Sequence, residues 1–162
     1  MNLKKFLQSK IAKIEKVYGE SPHKDLEFST KLGAWVTNRN VIVLGTDVTA
    51  NKFLALLAVI HELGHLYTKS RKELKANIWA LECISKVFPK SRSLKYLYFS
   101  YLLKCLNSGE NPHSAEAHKL LDHLKVKIVK IWFEDEGAIL DIELPKAYKS
   151  WYNTKKPPKI FN

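Results

Sequence analysis

One apolar run that ends in a histidine motif constrains the fold more than any other part of the chain. Residues 53–60 read FLALLAVI, without glycine, proline or charge, and residues 61–65 read HELGH. Such a run predicts a buried helix that continues through the motif. Because histidines four positions apart share one face of a helix, His61 and His65 can bind a single metal ion. Glycine at position 64 costs the helix about 1 kcal/mol in propensity. Its presence therefore predicts that another backbone packs closely against the helix there.

The spacing H-E-x-x-H is typical of zinc peptidases. Imidazole nitrogens suit Zn²⁺, and the carboxylate of Glu62 can take a proton from water as a general base. The alternative is a pair of surface histidines, but the apolar flank would bury them, and buried histidines need partners. The motif therefore predicts a zinc-dependent metalloendopeptidase with one zinc ion per chain and Glu62 as the catalytic residue.

A catalytic zinc usually has three protein ligands, and Glu73 is the leading candidate for the third. It lies in an amphipathic helix whose apolar positions are Leu74, Ile78, Leu81 and Val87. Asn77, one turn later, could hydrogen-bond a neighbouring ligand. Ser70 and Glu73 also fit a capping box, in which the carboxylate would only satisfy a backbone N–H at the helix start. Minor alternatives for the third ligand are Glu82, His113, His118 and His123.

The motif and the segment E-x-x-A-N-x-W-A at residues 73–80 together resemble the ImmA/IrrE group of gluzincin metallopeptidases, whose pattern is HELGH followed by E-x-x-A-N-x-F-A. The resemblance covers about residues 40–88. It implies zinc ligation by His61, His65 and Glu73 and general-base action by Glu62. It also implies a regulatory or repressor protein as substrate. A looser resemblance is to the minigluzincins, small soluble peptidases held latent by their own C-terminal segment.

Length and composition predict a single soluble domain. The 162 residues are 46% hydrophobic and 27% charged, which allows a hydrophobic core and argues against a membrane protein. The longest apolar run is too short to span a bilayer, and no signal-peptide hydrophobic region develops near Met1, so a cytoplasmic location is expected. We expect one metallopeptidase domain over residues 1–162, with residues 153–162 as a flexible tail that could cover the cleft. Cys83 and Cys105 are expected to be buried free thiols, with a disulfide between them as the alternative.

The charge balance suggests a second function class. Lys and Arg number 27 against 16 Asp and Glu, for a net charge of +11. Such a charge attracts nucleic acids and acidic proteins, although lysines spread over every segment are typical of a solvated surface. The alternative to a peptidase is therefore a basic nucleic-acid- or protein-binding module with a structural zinc or an inactive site.

Hydropathy patterns predict an α+β fold of the zincin type, mostly helical, with a small β-sheet before the active-site helix. The expected strands are residues 26–30, 34–37 and 41–45. In zincins an edge strand of the sheet before the active-site helix can pair with an extended substrate, and residues 41–45 are our candidate for a strand of that sheet. Helices are expected over residues 3–17, 94–106 and 114–124. Residues 126–133 and 138–144 predict a hairpin, unless the first run continues the preceding helix. Candidate donors to the oxyanion are Tyr67, Tyr148 and Tyr152.

Overall fold

The computed structural model describes residues 2–91, Leu94 and Tyr98, and the backbone of residues 127–134 and 137–143. These residues form four helices, one three-stranded sheet and one two-stranded sheet. The elements are α1 (Leu3–Tyr18), β1 (Asp25–Phe28), β2 (Ala34–Val36), β3 (Val41–Leu44), α2 (Thr46–Thr49), α3 (Lys52–Thr68), α4 (Glu73–Val87), β4 (Lys127–Glu134) and β5 (Gly137–Glu143). The prediction of a mixed α+β structure is confirmed.

Helix α1 begins and ends at residues suited to those positions. The side chain of Asn2 accepts a hydrogen bond from the Lys4 backbone N–H at 2.8 Å, which satisfies one of the free donors of the first turn. Gly19 follows the last turn at a φ of 87°, a conformation that costs glycine little. The buried residues of α1 are Leu7, Ile11 and Ile14, which recur at helical spacing and join the core cluster.

The first sheet has the strand order β1-β3-β2, with β3 parallel to β1 and antiparallel to β2. The three predicted strands therefore exist; β2 and β3 begin where predicted, and the remaining ends differ by one or two residues. Strand β3 is central, so its backbone is paired on both sides. Within this sheet a substrate strand could be added only at β1 or β2, and residues 41–45 do not provide the free edge.

Helix α3 confirms the buried helix predicted through the histidine motif. Asn51 caps it by accepting hydrogen bonds from the backbone N–H groups of Phe53 and Leu54 at 2.8 and 3.3 Å. Its buried residues include Ala55, Leu56, Val59, Ile60 and Leu63. The short helix α2 just before it was not predicted.

A tight turn folds α4 back against α3. Lys69 ends α3 in the left-handed conformation, at a φ of 52°, and the Ser70 N–H donates to the His65 carbonyl at 3.1 Å. This pattern is a common way to end a helix. Only residues 69–72 separate the two helices. The start of α4 is therefore held close to the end of α3, where the histidine motif lies.

Three aromatic rings join α1, α3 and α4. Tyr67 stacks on Trp79 with ring centroids 5.0 Å apart, and Tyr18 packs against Trp79 at 4.9 Å. The Tyr67 hydroxyl donates to the Gly19 carbonyl at 2.7 Å. Aromatic pairs at such distances add roughly 0.5–1.5 kcal/mol each beyond the burial of their surface. These three rings fix the end of α1 against α3 and α4.

The later part of the chain contains the predicted hairpin. Strands β4 and β5 pair antiparallel, so the alternative in which residues 126–133 prolong a helix is wrong. Leu94 and Tyr98 are helical and buried, in agreement with the helix predicted over residues 94–106. The rest of that helix, the helix over 114–124 and the tail over 153–162 lie outside the described residues. No helix in the described part of the chain has the length and apolar character needed to cross a membrane.

Candidate metal centre

The two motif histidines and Glu73 meet at one point between α3 and α4. Nε2 of His61 lies 2.9 Å from Oε2 of Glu73, and Nε2 of His65 lies 3.2 Å from Oε1. The candidate ligand atoms of the three residues all lie within 4.8 Å of one another. Among the described residues, no other group of three or more His, Cys, Asp or Glu side chains could hold a metal ion. The structure thus brings together the three residues predicted as ligands.

The competing capping role of Glu73 is wrong. Helix α4 begins at Glu73 with Lys72, not Ser70, at the N-cap position, and the N-cap residue makes no side-chain capping hydrogen bond. The hydroxyl of Ser70 instead accepts from the Lys72 backbone N–H at 3.1 Å, which closes the turn before the helix. The carboxylate of Glu73 is thereby left to the histidines. A side chain in the first turn of one helix can reach the last turns of the other because the connection is so short.

A backbone carbonyl fixes the orientation of His65. Its Nδ1 lies 2.8 Å from the carbonyl oxygen of Ser70. A carbonyl only accepts hydrogen bonds, so Nδ1 carries the proton and Nε2 faces Glu73. Histidines that bind metals are commonly oriented in this way. No pattern in the sequence indicates this contact, since a backbone carbonyl leaves no signature there and Ser70 fits a capping box instead.

The electrostatics of the cluster match those of a cation-binding site. Hydrogen bonds from His61 and His65 hold the pKa of the Glu73 carboxyl far below its usual range. The hydrogen bond to Glu73 in turn raises the pKa of His65. An ionised carboxylate and two imidazole nitrogens are all acceptors, so they can converge only around protons or a metal ion. The arrangement can therefore hold a metal ion.

Glu62 lies beside this cluster and is buried. Only 8% of Glu62 is exposed. Burial has the largest influence on the pKa of its carboxyl group and raises it. The neighbouring charges of His61 and His65 act in the opposite direction. A carboxylate whose pKa is moved upward is a better proton acceptor than an exposed one. Glu62 thus lies close to the candidate ligands, in an environment that favours uptake of a proton.

The side chain of Asn77 does not orient a ligand through its oxygen. Asn77 is 2% exposed, and its Oδ1 accepts no hydrogen bond from the described residues. Its backbone carbonyl accepts from the hydroxyl of Tyr98 at 2.7 Å, a contact that joins α4 to the following segment. The expectation that Asn77 supports a histidine is therefore not met by this atom.

The other candidate residues do not join the cluster. Glu82 is exposed, farther along α4. The hydroxyl of Tyr67 donates to the Gly19 carbonyl, so in this conformation it is not available to an oxyanion. Cys83 is a buried free thiol, as predicted, and burial raises its pKa to about 12, which disfavours the thiolate needed for metal binding. The remaining candidates lie outside the described residues; they are His113, His118, His123, Tyr148, Tyr152 and Cys105.

Gly64 is required by the contact between the two helices. A Cβ added to it would lie 2.8 Å from the carbonyl oxygen and 3.1 Å from the Cα of Ala76. These are backbone atoms of α4, which cannot yield without moving the helix. The prediction of close backbone packing at this glycine is confirmed. Because Glu73 belongs to the same helix as Ala76, the glycine also sets the distance between Glu73 and the histidines.

We expect Gly64→Ala to destabilise the protein by about 1–3 kcal/mol through overpacking, despite the gain of about 1 kcal/mol in helix propensity. Metal affinity should fall as well, since α4 carries Glu73 away from α3. Thermal unfolding with and without added zinc measures both effects. Gly64→Ser should be worse, because its side chain is larger. A rise in the unfolding temperature of Gly64→Ala would contradict the close contact, since that is the result for a helical glycine with free space around it.

Comparisons with known proteins do not assign the chain to a family. No protein-family model matches it, and no significant match was found among curated proteins or among solved structures.

Proposed function

We propose that this chain is a zinc-dependent metallopeptidase with a zincin-like arrangement of its active-site helix. One observation carries the proposal: His61 and His65 from α3 and Glu73 from α4 direct their ligand atoms to one point, and the buried carboxylate of Glu62 lies next to it. A zinc ion with a purely structural role would require only the ligands. The buried carboxylate beside the ligands is what favours catalysis, because it could act as the general base.

The set of ligand atoms fits zinc better than Ca²⁺ or Mg²⁺. Ca²⁺ and Mg²⁺ prefer oxygen ligands, whereas two imidazoles and one carboxylate are typical of catalytic zinc. With zinc–ligand bonds of about 2.0–2.2 Å, tetrahedral geometry separates ligand atoms by about 3.3–3.5 Å. The histidine nitrogens lie 2.9 and 3.2 Å from the Glu73 oxygens, somewhat closer than this, so the ligand atoms are near enough to share one ion. Three protein ligands would leave a fourth position open.

The roles of the chain's own residues follow from their placement. Zinc, when bound, would supply a Lewis acid for the peptide carbonyl and lower the pKa of water to about 7. Glu62 would accept the proton of the attacking water and deliver it to the departing amine. His65, oriented by the Ser70 carbonyl, would bind through Nε2 without a change of rotamer. Glu73, ionised through its contacts with the histidines, would bind without first losing a proton.

The resemblance to the ImmA/IrrE group supports the same reaction and proposes a regulatory or repressor protein as the substrate. It rests on the HELGH motif, near the end of α3, and on residues 73–80, at the start of α4. These two segments supply the three candidate ligands. The substrate is an analogy with that group, because fold and motif do not determine it.

Metal analysis and peptide cleavage together test the proposal. We expect the purified chain to bind one zinc ion and to cleave a peptide library, to lose cleavage after treatment with 1,10-phenanthroline, and to recover it when zinc is added back. Mass spectrometry of the products locates the cleaved bonds. A chain without stoichiometric zinc, or with cleavage that survives chelation, would overturn the proposal. Zinc binding without cleavage, combined with DNA binding that weakens steeply with salt, would favour the binding-module alternative.

A further inference from the structure

Exposed positive charge is concentrated at the turn between α3 and α4. Lys69, Arg71, Lys72 and Lys75 supply four cations within residues 69–75, and all four side chains are exposed. We call these four residues the basic turn. Glu73 is the only acidic residue in this stretch, and its carboxylate faces the histidines.

The basic turn is attached directly to the candidate metal centre. Ser70 contacts Nδ1 of His65 through its carbonyl, and Glu73 contacts both histidines through its carboxylate. Arg71 and Lys72 lie between these two residues in the chain. Each of them is next in sequence to a residue that contacts the histidines, so their Cα atoms lie about 3.8 Å from those of Ser70 and Glu73. The range of their charges, about 10 Å at 0.1 M salt, is long enough to influence a peptide bound at the centre.

No carboxylate of the described residues pairs with these four cations. None of the four cations forms an ion pair there, whereas Lys4 on α1 pairs with Asp25 at 3.3 Å. The backbone of the turn is also fixed, since Lys69 is the C-cap of α3 and Lys72 the N-cap of α4. Fixed, unpaired charge at the rim of a site favours ligands of the opposite sign and disfavours those of the same sign.

We infer that the basic turn selects peptide substrates that carry acidic residues close to the bond to be cleaved. This inference rests on the proposed peptidase function and adds the class of substrate. Each substrate carboxylate should change the specificity constant by only a few fold, because both charges are partly solvated and screened by salt. Several together should give a preference of about tenfold for acidic over basic peptides at low ionic strength.

The overall charge of +11 is the competing cause of such a preference, and a matched pair of variants separates the two. Arg71→Glu/Lys72→Glu reverses two charges in the basic turn. Lys5→Glu/Lys52→Glu reverses two exposed charges, one on α1 and one at the first residue of α3, where the Lys52 ammonium lies 5.8 Å from the ring of Phe6 on α1. The 17 residues of α3 separate the two ends by about 25 Å. Both variants change the net charge equally.

The experiment compares fluorogenic peptides of one length with Glu, Gln or Lys flanking the same apolar centre. We expect the wild type to prefer Glu over Lys peptides by about tenfold at about 50 mM salt and to lose most of this preference at about 500 mM. Arg71→Glu/Lys72→Glu should abolish or reverse the preference, and Lys5→Glu/Lys52→Glu should retain it. Because the ratio of two substrates is compared, a change in zinc content does not affect the result. Arg71→Gln/Lys72→Gln should give an intermediate ratio.

The outcomes separate this inference from the proposed function. Equal cleavage of Glu, Gln and Lys peptides leaves a peptidase and overturns the charge preference. Equal loss of preference in both double variants assigns it to the overall charge and also overturns the inference. If no peptide is cleaved, the peptidase proposal fails; fluorescence anisotropy with the same peptides and zinc-loaded Glu62→Gln then tests recognition directly, and equal affinity for Glu and Lys peptides rejects it.

Discussion

Glu62→Gln is expected to keep one bound zinc ion and to lower kcat/KM for peptide cleavage by about a thousandfold, within the range of about 10²–10⁴ typical of a lost general base. The amide has nearly the size of the carboxyl group but cannot accept the proton of water. His61, His65 and Glu73 are unchanged, so the ligand set remains. Metal analysis and steady-state kinetics on the same preparation give both quantities.

Two controls make this result specific. Glu62→Asp keeps a carboxylate but withdraws it by one methylene, so it should retain more activity than the amide. The metal-free Glu62→Gln protein should be no less stable than the wild type at pH 7, because burial raises the pKa of Glu62 and its ionised form therefore opposes folding above that pKa. Full activity of Glu62→Gln would remove Glu62 from the mechanism. Loss of zinc together with activity would instead assign Glu62 to the metal site.

The parts of the structure that the sequence predicted well depend on local patterns. The apolar run over residues 53–60 has no competing interpretation of comparable strength, and α3 forms through it as expected. Strand β3 follows a turn at Asn40, whose φ of 59° is one that asparagine tolerates well. The ligand pair His61 and His65 follows from helical spacing alone, because residues four apart share a face in any helix.

The parts that the sequence did not predict depend on contacts between distant residues. The central place of β3 follows from its pairing with β1 on one side and β2 on the other, which strand patterns do not encode. Helix α2 is a single turn, and such short helices are marginal on their own. It lies where the Asp47 carboxylate accepts a hydrogen bond from the Gly33 N–H at 2.8 Å. That contact joins Gly33, which precedes β2 in the chain, to Asp47, which follows β3.

The assignment of Glu73 shows the same limit within the site. Its sequence context fits both a metal ligand and a capping box, since each requires a carboxylate at the start of a helix. The geometry decides, because Lys69 turns the chain so sharply that the first residue of α4 faces the last turns of α3. Gly64 is equally necessary, since any side chain there would meet the backbone of Ala76. Motif spacing therefore identifies candidates, and the packing of α4 on α3 selects among them.

Glu73→Gln is expected to weaken zinc binding by more than a hundredfold, since loss of a group that merely supports a ligand already costs about 10–100-fold. The amide has the length of the wild-type side chain but lacks the charge, and its oxygen is a weaker ligand for zinc. It can still donate a hydrogen bond to a histidine Nε2, so the contact between α3 and α4 is retained. Competition with a chromogenic chelator measures the affinity.

Glu82→Gln is the matched control for this loss, because it makes the same change at an exposed position on the same helix. The control should bind zinc as the wild type does. Without metal, Glu73→Gln should unfold at a lower temperature than Glu82→Gln, because it loses the contacts of an ionised carboxylate with both histidines. Peptide cleavage by Glu73→Gln should return only at zinc concentrations high enough to fill the weakened site. Wild-type zinc affinity in Glu73→Gln would mean that the third ligand lies elsewhere. A loss of affinity in Glu82→Gln of similar size would mean that the charge of α4, and not a direct bond, holds the metal.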